Sequence, residues 1–161
     1  MMKLEKFNSI TLREEVALKK ILMLLIVILV LTACAKRVSN DYKFKGESEH
    51  WEAEYVYRGT EVWRKDNGNR TYSNEGSYQF LLKYKGSLEE LSSIRKIEYA
   101  HKTNSSGGDT TREFDGPPEE LSFTASGVSK GGVKINEDEV IQVNVKWGDL
   151  EESFELHNTS K

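Results

Sequence analysis

Few side chains in this 161-residue chain are equipped for chemistry. Gly127-Val128-Ser129-Lys130-Gly131 has the G-x-S-x-G spacing. In that motif a serine rides a sharp strand-to-helix turn and becomes a nucleophile with histidine and carboxylate support. The residues that follow, "GVKINEDE", carry no helix signal, so the glycines read as a flexible loop or tight turn. A small surface hydrolase using Ser129 is the enzymatic alternative this leaves. Gly127 and Gly132 also have P-loop spacing, but Val133 stands where a lysine is needed to reach phosphate. His50, His101 and His157 are far apart in sequence, and Glu47, Glu49 and His50 lack a zinc spacing. "NEDE" (136–139) has too few spaced oxygens for a calcium loop and reads as a turn. No catalytic, metal-binding or cofactor-binding set is therefore expected. Trp51, Trp63 and Trp147, with seven Tyr, could form a sugar- or peptide-binding face, although such rings usually supply core volume. Trp63, in the less regular "TEVWRKD", is the expected exposed one.

The remaining reactive group is the only thiol, Cys34. With one cysteine, a disulfide within the chain is impossible. Cys34 ends the run "ILMLLIVILVLTAC", which follows Lys19 and Lys20. The unbroken apolar part, residues 21–31, is far shorter than the roughly 20 residues needed to span a bilayer. A basic flank, a short apolar segment and small residues at its end make a secretory signal. Leu31-Thr32-Ala33-Cys34 resembles a bacterial lipobox. The resemblance implies that the Cys34 sulfur takes a diacylglyceryl group through a thioether, and that cleavage leaves Cys34 as the first mature residue. Two acyl chains anchor stably where one binds marginally. A plain transmembrane anchor or an inert cysteine is the alternative.

The elements that would position these residues follow from the same division. Residues 1–33 read as a lipoprotein signal peptide, helical through its apolar part. The stretch before Lys19 is long for a signal n-region and holds Glu5, Glu14 and Glu15. Residues 1–17 are therefore expected to be untranslated upstream sequence, with Leu18 as the true start; a real extended n-region is the alternative. Of 161 residues, the 33 of the leader leave 128, enough for one domain. That part carries 18 Lys and Arg against 23 Asp and Glu, a formal charge of −5. An acidic domain is a poor nucleic-acid binder. Residues 34–43 read as a lipidated N-terminus and polar tether, and 44–161 as the folded domain.

Within 44–161 the pattern has period two, as half-buried strands require. In "HWEAEYVYR" (50–58), Trp51, Ala53, Tyr55 and Tyr57 share one face. In "SYQFLLKYK" (77–85), Tyr78, Phe80, Leu82 and Tyr84 do so. Further strands are expected at 94–102 and 120–126, and short ones at 61–65 and 69–73 around the hairpin signal Asn67-Gly68. In the last hairpin (140–157), a turn at Gly148-Asp149 sets Trp147 opposite Leu150, Val143 opposite Phe154 and Ile141 opposite Leu156. Val145 then faces Glu152, the one mismatch. "SLEELSSI" (87–94) is the only helix-like stretch, expected as one turn. The fold class is all-β: a single antiparallel β-sandwich, immunoglobulin-like, with a small barrel as the alternative.

"FKGESEHW" (44–51), "EYVY", "YKG" at 84–86, a Gly/Ser-rich middle and a C-terminal "VNVKWGDLEESFEL" occur here in order. Together with the lipobox, they resemble a group of small, uncharacterised lipoproteins of Bacillus-type Gram-positive bacteria. Those domains begin with a GES-x-x-W segment and end in a hairpin of the form I-x-W-x-G-x-x-E-x-F-x-L. Here the glycine follows Trp147 directly, where the group often has a residue between. The resemblance implies a lipoprotein and a β-sandwich and carries over no functional residue. The expectation is a protein lipid-anchored through Cys34 at the extracytoplasmic face of the cell membrane. It would bind a cell-surface protein or envelope component, or serve an accessory role, and bind no nucleic acid. A ligand-carrying β-barrel lipoprotein is a further alternative.

Overall fold

The computed structural model describes residues 19–23, 35–66, 69–132 and 134–160. They fall into two compact units: residues 1–36 with 64–70, and residues 37–63 with 71–161. In the first, residues 19–23 are helical and Ile21, Leu22 and Met23 are exposed. No described helix is long and apolar enough to cross a membrane. Leu31, Thr32, Ala33 and Cys34 lie outside the described residues, as do Asn67, Gly68 and residues 1–17.

Eight strands follow: β1 (Ala35–Glu47), β2 (Trp51–Asp66), β3 (Asn69–Tyr84), β4 (Lys96–Lys102), β5 (Gly107–Glu113), β6 (Ser122–Lys130), β7 (Ile141–Trp147) and β8 (Leu150–Asn158). They make one hydrogen-bonded sheet in the order β5-β4-β7-β8-β1-β2-β3-β6. β8 is the joint. It pairs with β7 along its length and with β1 through Phe44 opposite Asn158 and Lys45 opposite His157. Within the second unit the sheet curls nearly into a barrel, so that β4 stands against β3 and β6. There the Tyr99 hydroxyl donates to the Thr124 carbonyl (3.1 Å), and Phe80 lies 6.0 Å from Tyr99 and 5.1 Å from His101.

The core sits inside this curl and follows the expected alternation. Trp51, Ala53, Tyr55 and Tyr57 are buried, as are Phe80, Leu82 and Tyr84 across from them. Each large apolar side chain buried in this way stabilises the fold by about 1.5–3 kcal/mol. The opposite face of β1–β3 is charged, with Glu54 between Lys43 and Lys45 and Glu52 beside Lys83. The last hairpin has the expected register, including Val145 opposite Glu152. Gly148 turns it with φ 58°. Leu150, at the turn, is exposed rather than part of the buried face.

Several elements differ from expectation. Residues 35–43, read as a polar tether, are strand β1; Lys36, Arg37, Ser39 and Asp41 are exposed and Val38, Asn40, Tyr42 and Lys43 half-buried, so no fully buried apolar face marks them. The segments expected at 50–58 and 61–65 join in the one strand Trp51–Asp66, and those at 69–73 and 77–85 in Asn69–Tyr84. The glycine loop around Ser129 is also strand: β6 runs to Lys130 and ends at Gly131, φ 67°. β5, "GGDTTRE", was not expected, having two glycines and no apolar residue. It pairs with β4 as an outer strand, beyond a turn held by Thr103. Residues 88–93 form a series of turns, capped where the Ser87 N–H and hydroxyl donate to Glu90 and the Glu90 N–H donates to the Ser87 hydroxyl. Leu91 of that series is fully buried.

Candidate functional site

Two clusters of chemically capable side chains stand out. The first is an aromatic pair on the β2–β3 ribbon. Trp63 and Tyr72 are each 45% exposed, with ring centroids 4.5 Å apart at 48°. Beneath them Glu61 gathers donors: Asn40 Nδ2 (2.7 Å) and Lys134 Nζ (3.1 Å) on Oε1, and the Tyr72 hydroxyl (3.2 Å) on Oε2. The bonds from Lys134, Asn40 and Tyr72 hold the Glu61 carboxyl below the usual carboxylate range, while Glu61 raises the Lys134 ammonium. The network fixes Tyr72 at its hydroxyl end, and both rings remain partly exposed. The arrangement offers stacking surface and carries no nucleophile. Trp63 is thus exposed as expected, whereas Trp51 and Trp147 are core, 5.4 Å apart.

The second cluster joins the β1–β2 connection to β8. Glu152 Oε2 accepts from Ser48 Oγ (2.5 Å) and from the His50 N–H (3.2 Å), and Oε1 lies 2.6 Å from His50 Nδ1. The bond to Glu152 raises the His50 pKa against burial, which acts the other way. Burial raises the Glu152 pKa, but the bonds from Ser48 and His50 outweigh it and lower the carboxyl overall. The imidazole also stacks near Tyr84 and Trp147. Lys85 completes the closure, its N–H donating to the His50 carbonyl and its ammonium to the Ser48 carbonyl. Glu49, His50 and Glu152 offer ligand atoms within 4.8 Å of one another. The 2.6 Å Nδ1–Oε1 separation is that of a hydrogen bond. Two ligands about 2.0 Å from one tetrahedral zinc stand roughly 3.3 Å apart. The cluster is a hydrogen-bonded clamp on the loop. Sequence spacing missed it because Glu152 is so distant from Ser48; its one trace was the polar residue opposite Val145.

The other candidates do not converge. Ser129 lies on β6 opposite Gly76, exposed. His50 lies in the β1–β2 connection, His101 is buried on β4 beside Tyr55, Tyr78 and Phe80, and His157 is exposed on β8 beside Glu155. Among the described residues no hydrogen bond joins Ser129 to a histidine. Burial alone depresses the His101 pKa. The carrier alternative needs a wide apolar cavity. In this interior the rings close on one another instead: Tyr55 on Tyr78 at 5.1 Å, Trp51 on Tyr84 at 5.0 Å. A groove of about 330 Å³ lies among the charged side chains Lys45, Glu52, Glu54 and Lys83.

Compared with protein-family models, curated proteins and solved structures, the chain matches none.

Proposed function

We propose that this chain is a lipoprotein, held at the extracytoplasmic face of the cell membrane through Cys34, whose β domain binds a cell-surface protein or envelope component. The observation that carries the reading is Leu31-Thr32-Ala33-Cys34 directly after a basic-flanked apolar run too short to span. The leader would end at Ala33. The resemblance to small lipoproteins of Bacillus-type bacteria belongs to the same proposal. So does the finer architecture, in which the immunoglobulin-like sandwich describes how the two halves pack across Trp51 and Trp147 rather than how they hydrogen-bond. A binding role is favoured by the exposed Trp63–Tyr72 pair and by the absence of a Ser129–His hydrogen bond among the described residues.

The test is the intact mass of protein extracted from membranes, with fractionation of a Cys34→Ala variant. A diacylglyceryl adduct on a chain beginning at Cys34 is expected, with the variant lost from its processed membrane form. A full-length, unlipidated chain in the membrane fraction overturns the anchor.

A further inference from the structure

We propose that the Trp63–Tyr72 pair docks onto the anionic phospholipid surface of the membrane that holds the anchor. The inference rests on the lipid-anchor reading and adds the orientation of the domain. Along β1, Lys43 pairs with Glu54 of β2, whereas Asn40, three residues earlier, reaches Glu61, seven residues later. The strands therefore run antiparallel, and the beginning of β1 shares an end of the sheet with Trp63. β1 is already strand at Arg37, so no free tether separates this end from the lipid. Arg37 follows Cys34 by three positions, with only Ala35 and Lys36 between, a span of at most about 11 Å. An anchor placed there brings the Trp63–Tyr72 end to the bilayer.

The side chains suit that position. Trp and Tyr partition to the membrane interface, where an apolar ring and a polar tip are both satisfied. Here the rings are exposed while the Tyr72 hydroxyl is held by Glu61. The charge is also complementary. Residues 35–37 and 64–71 carry Lys36, Arg37, Arg64, Lys65 and Arg70 against one acidic residue, Asp66, and Glu61 beneath the pair is matched by Lys134, although the chain beyond Ala33 is net negative. Such cations are drawn to anionic lipid headgroups within a Debye length. A sugar platform would use the same rings, but it does not account for the cations or for the proximity of the anchor.

Trp51 and Trp147 are buried, so a Trp63→Phe difference spectrum isolates the exposed indole. The full-length protein, processed in a lipoprotein-producing Gram-positive host, is reconstituted into phosphatidylcholine vesicles containing phosphatidylglycerol. Matched vesicles carry brominated acyl chains. Bromolipid is expected to quench the wild-type emission and leave the Trp63→Phe variant nearly unchanged, with weaker quenching in vesicles of phosphatidylcholine alone. Intact mass on the same preparation separates the two readings. A lipidated protein whose Trp63 escapes bromolipid but is quenched by aqueous iodide overturns the docking alone. An unlipidated protein overturns the anchor, and the docking with it. A response of Trp63 to soluble peptidoglycan fragments and not to bromolipid makes the pair a sugar platform and likewise overturns the docking.

Discussion

Glu152 of β8 accepts a hydrogen bond from Ser48, 104 residues earlier in the chain, and so joins the first hairpin connection to the last strand. Two of the segments quoted for the lipoprotein resemblance meet at this point. Gly46 lets β1 approach β8, Ser48 reaches Glu152, and Trp51 packs on Trp147 of the final hairpin. The GES-x-x-W segment and the hairpin are two halves of one junction.

Removing that junction has a measurable cost. Hydrogen bonds to a partly buried charged group contribute about 1.5–3 kcal/mol each, with strong coupling among those sharing one carboxylate. Glu152→Ala is expected to lower unfolding free energy by about 2–3 kcal/mol in urea. Glu152→Gln keeps acceptors for Ser48 and the His50 N–H and is expected to lose less. In Glu152→Gln the His50 pKa, read by NMR titration, returns toward its ordinary 6.5. A Glu152→Ala protein as stable as wild type would show the clamp to be incidental.

The same clamp makes stability depend on pH. His50 has a raised folded pKa, so its contribution is complete below 6.5 and is lost as pH rises through the folded value. Glu152 has a lowered one, so its contribution is present above 4.5 and is lost as pH falls through the folded value. The clamp is strongest in the window between. His101 opposes it on the acid side. Its depressed pKa favours the neutral ring, whose contribution is complete above 6.5 and declines as pH falls from there. Urea midpoints across pH are expected to lose their alkaline decline in His50→Gln and to show a shallower acid decline in His101→Leu. An unaltered alkaline limb in His50→Gln sinks the assignment.

What could be read from sequence was whatever burial writes as alternation. The buried faces of β2, β3, β4, β7 and β8 were legible because every second residue had to be apolar. Even the exception, Glu152 opposite Val145, pointed to a real contact without naming its partner. β1 before Phe44 and β5 were not legible, since neither carries a fully buried apolar face to write a pattern in the sequence. Ser129 looked like loop because glycines usually mark turns. Gly127 is instead small because a Cβ there would meet Tyr78 at 2.5 Å across the β3–β6 pair. The setting of the Trp63–Tyr72 pair was invisible, because Asn40, Tyr72 and Lys134, which meet on Glu61, come from three separate parts of the chain.

Close approach also predicts which glycines resist change. A Cβ on Gly46 would collide with the Glu155 carbonyl oxygen and sit 2.9 Å from its carbonyl carbon, both rigid backbone. Gly46→Ala must part β1 from β8 at the joint where they pair. It is expected to cost about 3 kcal/mol or more, the upper range for overpacking. Gly131 has open space around it and only a φ of 67° to defend. Gly131→Ala is expected to cost about 1 kcal/mol. Equal losses in the two variants, compared by thermal unfolding, would contradict the steric account.

Trp51 gives the opposite expectation, a large core residue that tolerates a smaller one. It is fully buried between Tyr84 at 5.0 Å and Trp147 at 5.4 Å, yet its Nε1 finds no hydrogen-bond partner among the described residues. A buried donor left unpaired costs about 1–3 kcal/mol. Trp51→Phe removes that penalty along with part of the ring's volume, and the two effects offset. The variant is expected to stay within about 1 kcal/mol of wild type, whereas Trp51→Ala, which only opens a cavity, is expected to lose about 3–5 kcal/mol. Denaturant unfolding of both variants decides the matter: a Phe variant nearly as unstable as the Ala variant means the indole N–H is satisfied in solution.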